Sequence, residues 1–263
     1  MAGRQDPVNL RRLTLSAALV ITLFYIALIL SLFYFFKRDL FLETLLSPRT
    51  LFSLRLSLLC ATLASLLSLW LGLPAAYALS RFDFPGKRLV DTLLELPLVV
   101  SPAALGAMIL IFFYQPVGAW LAARGLTFVF AVKGIVLAQF VTTAGLAVRL
   151  LKATLDEIPP RYEEVARTLG ATPLKAFLTV TLPLSRRGIL SALVLTWAKA
   201  LGEFGATITV AGAMPLRTET LPIAIFMRLS TADIPGTAVL TLILVAIGLC
   251  VLYGVHRLGE SGL

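Results

Sequence analysis

The sequence is poor in the residues that do chemistry. It holds one histidine, His256, and two cysteines, Cys60 and Cys250, and none of them stands in a cluster of Cys, His or carboxylate. A zinc site needs several ligands at fixed spacing and a disulfide framework needs paired thiols, so neither metal nor cross-link is expected. Both cysteines fall inside long apolar runs, where a thiol serves as a small packing group. His256 reads as an interfacial residue. A membrane-embedded enzyme would need a constellation such as a His-Glu-x-x-His helix or a serine beside a base, and one histidine near the end leaves almost nothing to build it from. No Gly-x-x-x-x-Gly-Lys-Ser/Thr loop occurs, so the chain is not expected to bind or hydrolyse ATP by itself. The GKR at Gly86 to Arg88 lacks the preceding glycine and reads as a basic turn. Charge is scarce too, at 14% of residues.

Apolar residues fill the space instead. They make up 59% of the 263 residues, against about 45–50% in soluble chains, and the mean hydropathy is +0.93. Six runs approach the roughly 20 helical residues that cross a bilayer: about 13–36, 54–79, 90–113, 132–151, 189–211 and 234–254. Lipid offers no partner to backbone N–H and C=O groups, and a barrel would need alternating segments of about ten residues, so the runs are read as helices. The expected fold is all-α, one polytopic domain of six transmembrane helices over 1–263. The first run, from Leu13 to Phe36, exceeds the roughly 7–15 residues of a cleavable signal core and reads as a retained span.

The net charge of +9 lies between the runs rather than on one basic face, which fits membrane topology and not nucleic acid. With the N-terminus inside, most of the basic residues become cytoplasmic, among them Arg81, Lys87, Arg88, Arg149, Lys152, Arg186 and Arg187. Both termini are then cytoplasmic. Arg55, near the outer end of span two, reads as snorkelling to the headgroups.

The long inner segment, about 152–188, carries the main signal. Within it, PPRYEEVARTLGATPLKAFLTVTLPLSRR runs from Pro159 to Arg187 and reads as two short amphipathic helices. Pro160 suits a first turn, Glu163 and Glu164 complement the positive end of the dipole, and Gly170 suits a left-handed cap. Tyr162, Val165, Ala166 and Leu169 recur at helical spacing and form one apolar face. The second helix takes Thr172 as cap and Pro173 in its first turn, and is expected to stop near Pro183. Pattern alone also allows both helices to lie on the lipid surface, with Glu163 pairing Arg167.

In order and spacing this stretch resembles the loop signature of binding-protein-dependent ABC importer permeases: Glu-Ala-Ala, a Gly four residues after the second Ala, then an aliphatic residue two before Leu-Pro. The counterparts are Glu164, Val165, Ala166, Gly170, Val180, Leu182 and Pro183, with Val165 in place of the first alanine. The likeness covers roughly Leu51 to Tyr253 and is nearest the molybdate permease branch, through FPGKRLVDTLLELPLVVSP and WAKALGEFGATITVAGAMPLRTETLPIAIF. Span three departs: VVSPAALGAM stands where the family often has two prolines and Thr-Gly-Tyr. The resemblance implies a type I ABC importer permease fold and a coupling helix that contacts an ATPase subunit through Glu163, Glu164, Val165, Ala166, Arg167, Leu169 and Gly170. It further implies a homodimer, two ATP-binding cassette subunits that bind ATP and Mg, and an extracytoplasmic oxyanion-binding protein. Molybdate or tungstate is the implied cargo, with sulfate as the alternative. A secondary carrier would show inverted repeats, and none is evident.

The fifth run supplies pathway candidates. Thr196, Lys199, Glu203 and Thr207 are spaced by three and four residues, which on one continuous helix makes a polar stripe in an apolar span. Gly202 and Gly205 would thin the neighbouring face for another helix. Lys199 and Glu203 could merely neutralise each other; if the stripe lines a conduit, Glu203 is expected to be held by Lys199 or a partner helix, leaving hydroxyls to face an anion.

Overall fold

A computed structural model describes residues 7–35 and 38–260, and side chains over 10–35 and 38–254. Phe36, Lys37, Arg4 and the side chains of His256 and Arg257 lie outside this set. All regular structure among the described residues is helical. The helices are α1 (Pro7–Leu32), α2 (Arg38–Leu46), α3 (Pro48–Arg81), α4 (Lys87–Val99), α5 (Pro102–Tyr114), α6 (Pro116–Ala123) and α7 (Val132–Asp156). They continue as α8 (Arg161–Thr168), α9 (Pro173–Ala176), α10 (Leu182–Leu201), α11 (Gly205–Ala211), α12 (Leu221–Ser230) and α13 (Ile234–Glu260). Five helical segments among the described residues are long and apolar enough to cross a membrane, and the bent pair α4 and α5, counted as one span, brings the number to six.

α3 and α7 form the spine. α3 starts cleanly because the Ser47 hydroxyl accepts from Thr50 N–H at 3.2 Å and Pro48 fills the first turn. Its buried side is a run of small residues, Ser57, Ala61, Ala64, Ser65, Ser68, Gly72 and Ala76, which lets a second backbone come close. Ser68 and Thr143 hydrogen-bond across that seam at 3.0 Å. On the other side of α7, a Cβ on Gly145 would stand 2.0 Å from the Leu94 carbonyl oxygen, so α4 packs directly on glycine. Near one end of the spine, Leu79, Val148, Leu151, Leu155 and Ala192 join α3, α7 and α10 in an apolar core.

Two spans differ from the sequence expectation. Span three is not one rod: α4 and α5 meet at 114°. Pro102 disfavours helix at Ser101, whose extended backbone (φ −62°, ψ 145°) and hydroxyl, accepting from Ala104 N–H, start a new helix. Span five is shifted towards the N-terminus and ends early. Rather than stopping at Pro183, the chain stays helical from Pro173 to Leu201. A π turn at Phe177–Thr181 absorbs the proline: Leu182 N–H reaches back five residues to the Phe177 carbonyl. The helix then breaks at Gly202–Phe204, short of the expected residue 211.

Candidate functional site

The connector between α7 and α10 turns α8 inside out. Among its residues Glu163 is the buried one, whereas Tyr162, Val165 and Leu169 are exposed by 46%, 58% and 84%. The expected apolar face exists, but it points away from the bundle. Glu164 and Arg167 are exposed beside it and line an open groove with Thr168, Ala171 and Pro173. Ala166 is half-buried. The end of α8 is fixed by two crossed bonds, Gly170 N–H to Arg167 C=O and Ala171 N–H to Ala166 C=O, both 3.0 Å. Gly170 has φ +92°, the left-handed conformation its position demands.

Glu163 does not pair with Arg167. Its carboxylate accepts from the Tyr77 hydroxyl at 2.7 Å, from the Thr181 hydroxyl, and from Arg81 Nε at 3.2 Å. Arg81 also donates to the Ile158 carbonyl at 2.8 Å. One step away, the Ser80 hydroxyl and Lys152 both donate to Asp156. Tyr77 is set by Phe177, whose ring packs edge-on with centroids 4.7 Å apart. Burial alone would raise the Glu163 carboxyl above the ordinary value of 4.5, but the hydrogen bonds from Thr181, Tyr77 and Arg81, with the charge of Arg81, outweigh it and hold the group below that value.

At the α10–α11 break the expected stripe is divided. Thr196 and Lys199 lie on α10, while Glu203 sits in the break and Thr207 on α11. Thr196 and Thr207 are fully buried within the protomer, so their hydroxyls do not face outward. Lys199 does, with its side chain 47% exposed. Of the Glu203 oxygens, one lies 3.9 Å from Lys199 Nζ and the other accepts from Ala206 N–H at 3.0 Å. Gly205 meets α5 closely, a Cβ there lying 3.1 Å from Pro102, but Gly202 is exposed and contacts no second helix.

Sequence reasoning missed a third buried carboxylate, beside Glu163 and Glu203. Glu219 is fully buried in the loop between α11 and α12, and Arg49 grips it with two bonds of 2.7 and 2.6 Å. The same loop end is tied to α3 by Leu221 N–H donating to Ser57 Oγ at 2.7 Å. No local pattern signals such pairs, because Arg49 and Glu219 are 170 positions apart and Arg81 and Glu163 are 82.

The fold and its connector thus define a polytopic helical membrane subunit that offers an exposed amphipathic helix, braced on a buried carboxylate, outside its spans. The chain belongs to the family of binding-protein-dependent transport system inner membrane components, whose model matches residues 66–260, and it is an ABC importer permease. It is 39% identical over 201 residues to the molybdenum transport system permease protein ModB of Escherichia coli strain K12, covering 74% of this chain and 86% of that one. It is 33% identical over 218 residues to the sulfate transport system permease protein CysT of the same organism, covering 82% and 79%. In fold it matches a bacterial ABC transporter involved in the import of the acidic polysaccharide alginate, with TM-score 0.77 at 18% identity over 96% of both chains.

Proposed function

We propose that the chain is the membrane subunit of a tetrahedral-oxyanion importer, working as a homodimer with two ATP-binding cassette subunits that bind ATP and Mg. The observation that carries this is the outward apolar face of α8. A helix that buries a carboxylate and exposes Tyr162, Val165 and Leu169 beside Glu164 and Arg167 is complete only when a second protein covers it. The ATPase subunit is that partner, which places the connector and both termini in the cytoplasm.

Molybdate or tungstate is the proposed cargo, delivered to the outer mouth by an extracytoplasmic oxyanion-binding protein. Its support is the stretch from Trp197 to Phe226 and the 39% identity to a molybdenum permease. Sulfate is the second reading, favoured by the longer match to CysT. Lys199, half exposed at the helix break and only loosely paired, is the cation this protomer offers to an anion in the conduit. Uptake into proteoliposomes holding all subunits, with molybdate, tungstate and sulfate competing, tests both claims. ATP-dependent molybdate uptake that tungstate blocks and excess sulfate does not is the expected result; preference for sulfate overturns the cargo, and uptake indifferent to ATP overturns the importer.

A further inference from the structure

α8 can push or pull the membrane body only through what joins them. Of its side chains Glu163 is the buried one, and that carboxylate touches α3 through Tyr77 and Arg81 and the head of the long fifth helix through Thr181. Arg81 carries the connection on to the Ile158 carbonyl, in the strand of chain leaving α7, and Ser80 ties α3 to Asp156 at the end of α7. Two spans, α3 and the fifth, therefore meet at one charged group, and α7 is tied to them one bond further on through Arg81 and Ser80. Hydrogen bonds to a buried charge are short-ranged and directional, so small displacements between α8 and these helices are resisted more stiffly than by sliding apolar contacts. The π turn contributes directly, because it sets Thr181 where its hydroxyl reaches the carboxylate.

We infer that Glu163 is a positioning residue of the transport cycle, the clamp through which movement of the coupling helix reaches α3, α7 and α10, while its neighbour Glu164 faces the ATPase. This rests on the importer reading above. It divides two adjacent carboxylates by role: one grips the partner, the other grips the body.

The test uses the full complex with its ATPase and binding protein in proteoliposomes, and reads the ratio of anion imported to ATP hydrolysed. Glu163→Gln keeps the shape and removes the charge; it is expected to leave ATPase co-purification intact and to lower transport per ATP roughly tenfold, within the about 5–150-fold span of energetic couplings between sites. Tyr77→Phe and Thr181→Val each delete one bond, leave the ion pair in place, and are expected to lower the ratio less. Glu164→Gln is expected to weaken ATPase co-purification instead. An unchanged ratio in Glu163→Gln overturns the clamp. If that variant fails to assemble, an unchanged ratio in both Tyr77→Phe and Thr181→Val overturns it equally. Wild-type complex that shows no ATP-dependent uptake would fell the importer reading itself, an outcome distinct from either.

Discussion

The two ends of α3 are pinned in the same way by opposite means. At one end Arg49 grips Glu219, and at the other Arg81 grips Glu163, each partner arriving from a distant loop. A helix of 34 residues is about 50 Å long, well beyond the roughly 30 Å hydrocarbon layer, so both arginines sit at or outside the interfaces. There the likeness ends. Arg49 is 48% exposed and its bond to Glu219 is bidentate, whereas Arg81 is 7% exposed and shares Glu163 with two hydroxyls. The first is a latch with one face in water. The second is buried on both sides, and its strength lies in the number of elements it joins. A loop end held against α3 needs only the latch, whereas a lever that carries load into several helices, as proposed for α8, needs the knot.

The largest expected effect of breaking this comparison is at the buried knot. Removing one partner of a buried pair strands a desolvated charge, which costs about 3–5 kcal/mol, so Arg81→Ala and Glu163→Ala should lower the thermal midpoint in detergent by similar, large amounts. At the latch the two halves should differ. Arg49→Ala strands the fully buried Glu219 and should be severe, while Glu219→Ala leaves an arginine that can turn to water and should cost about 1 kcal/mol. Equal losses from both latch variants would show that the exposed arginine is not the cheaper half to release.

Acid sharpens the contrast. Because the folded Glu163 carboxyl lies below its ordinary 4.5, its contribution is fully present above that value and is lost as pH falls through the depressed folded value. Protection of the α8 amides, taken relative to intrinsic exchange at each pH, should therefore hold down to pH about 4.5 and fall only below it. Glu163→Gln should abolish that acid step; persistence of the step in the variant would assign it to another group.

How far the sequence reveals this arrangement follows from the range of the forces. The apolar runs and the connector are written in local composition and spacing, and Gly170, Thr172 and Pro173 act within a few residues, so these are legible; Pro160, expected in a first turn, stands instead at the cap before Arg161. The apolar face of α8 is legible as spacing, but its outward direction came only from the resemblance, because apolar periodicity says which side chains align and not whether a core or a partner covers them. Span three carried its break in plain form as Ser101-Pro102, yet hydropathy averaging smoothed it over. Span five misled in the opposite sense: Pro183 looked like a stop, but the π turn absorbed it, and the real end came at Gly202. That break dissolved the stripe, burying Thr196 and Thr207 while leaving Lys199 outward. Tyr77 and Arg81 on α3 and Thr181 ahead of α10 are ordinary residues in two distant segments, and only tertiary packing brings them to Glu163.

The smallest expected effect lies at the other end of the same short helix. Gly170 has φ +92°, yet nothing lies within 4 Å of where a Cβ would stand. An alanine there meets no atom and suffers only the left-handed backbone, a cost of about 1 kcal/mol. Since the crossed bonds from Gly170 and Ala171 close α8, that strain should fray its last turn, where Leu169 is exposed, without disturbing Glu163 one helix length earlier. Gly170→Ala should therefore weaken ATPase co-purification several-fold and leave transport per ATP unchanged, the reverse of Glu163→Gln. A variant at Gly170 that changed the ratio while keeping the partner would mean that the two ends of α8 are not mechanically separate.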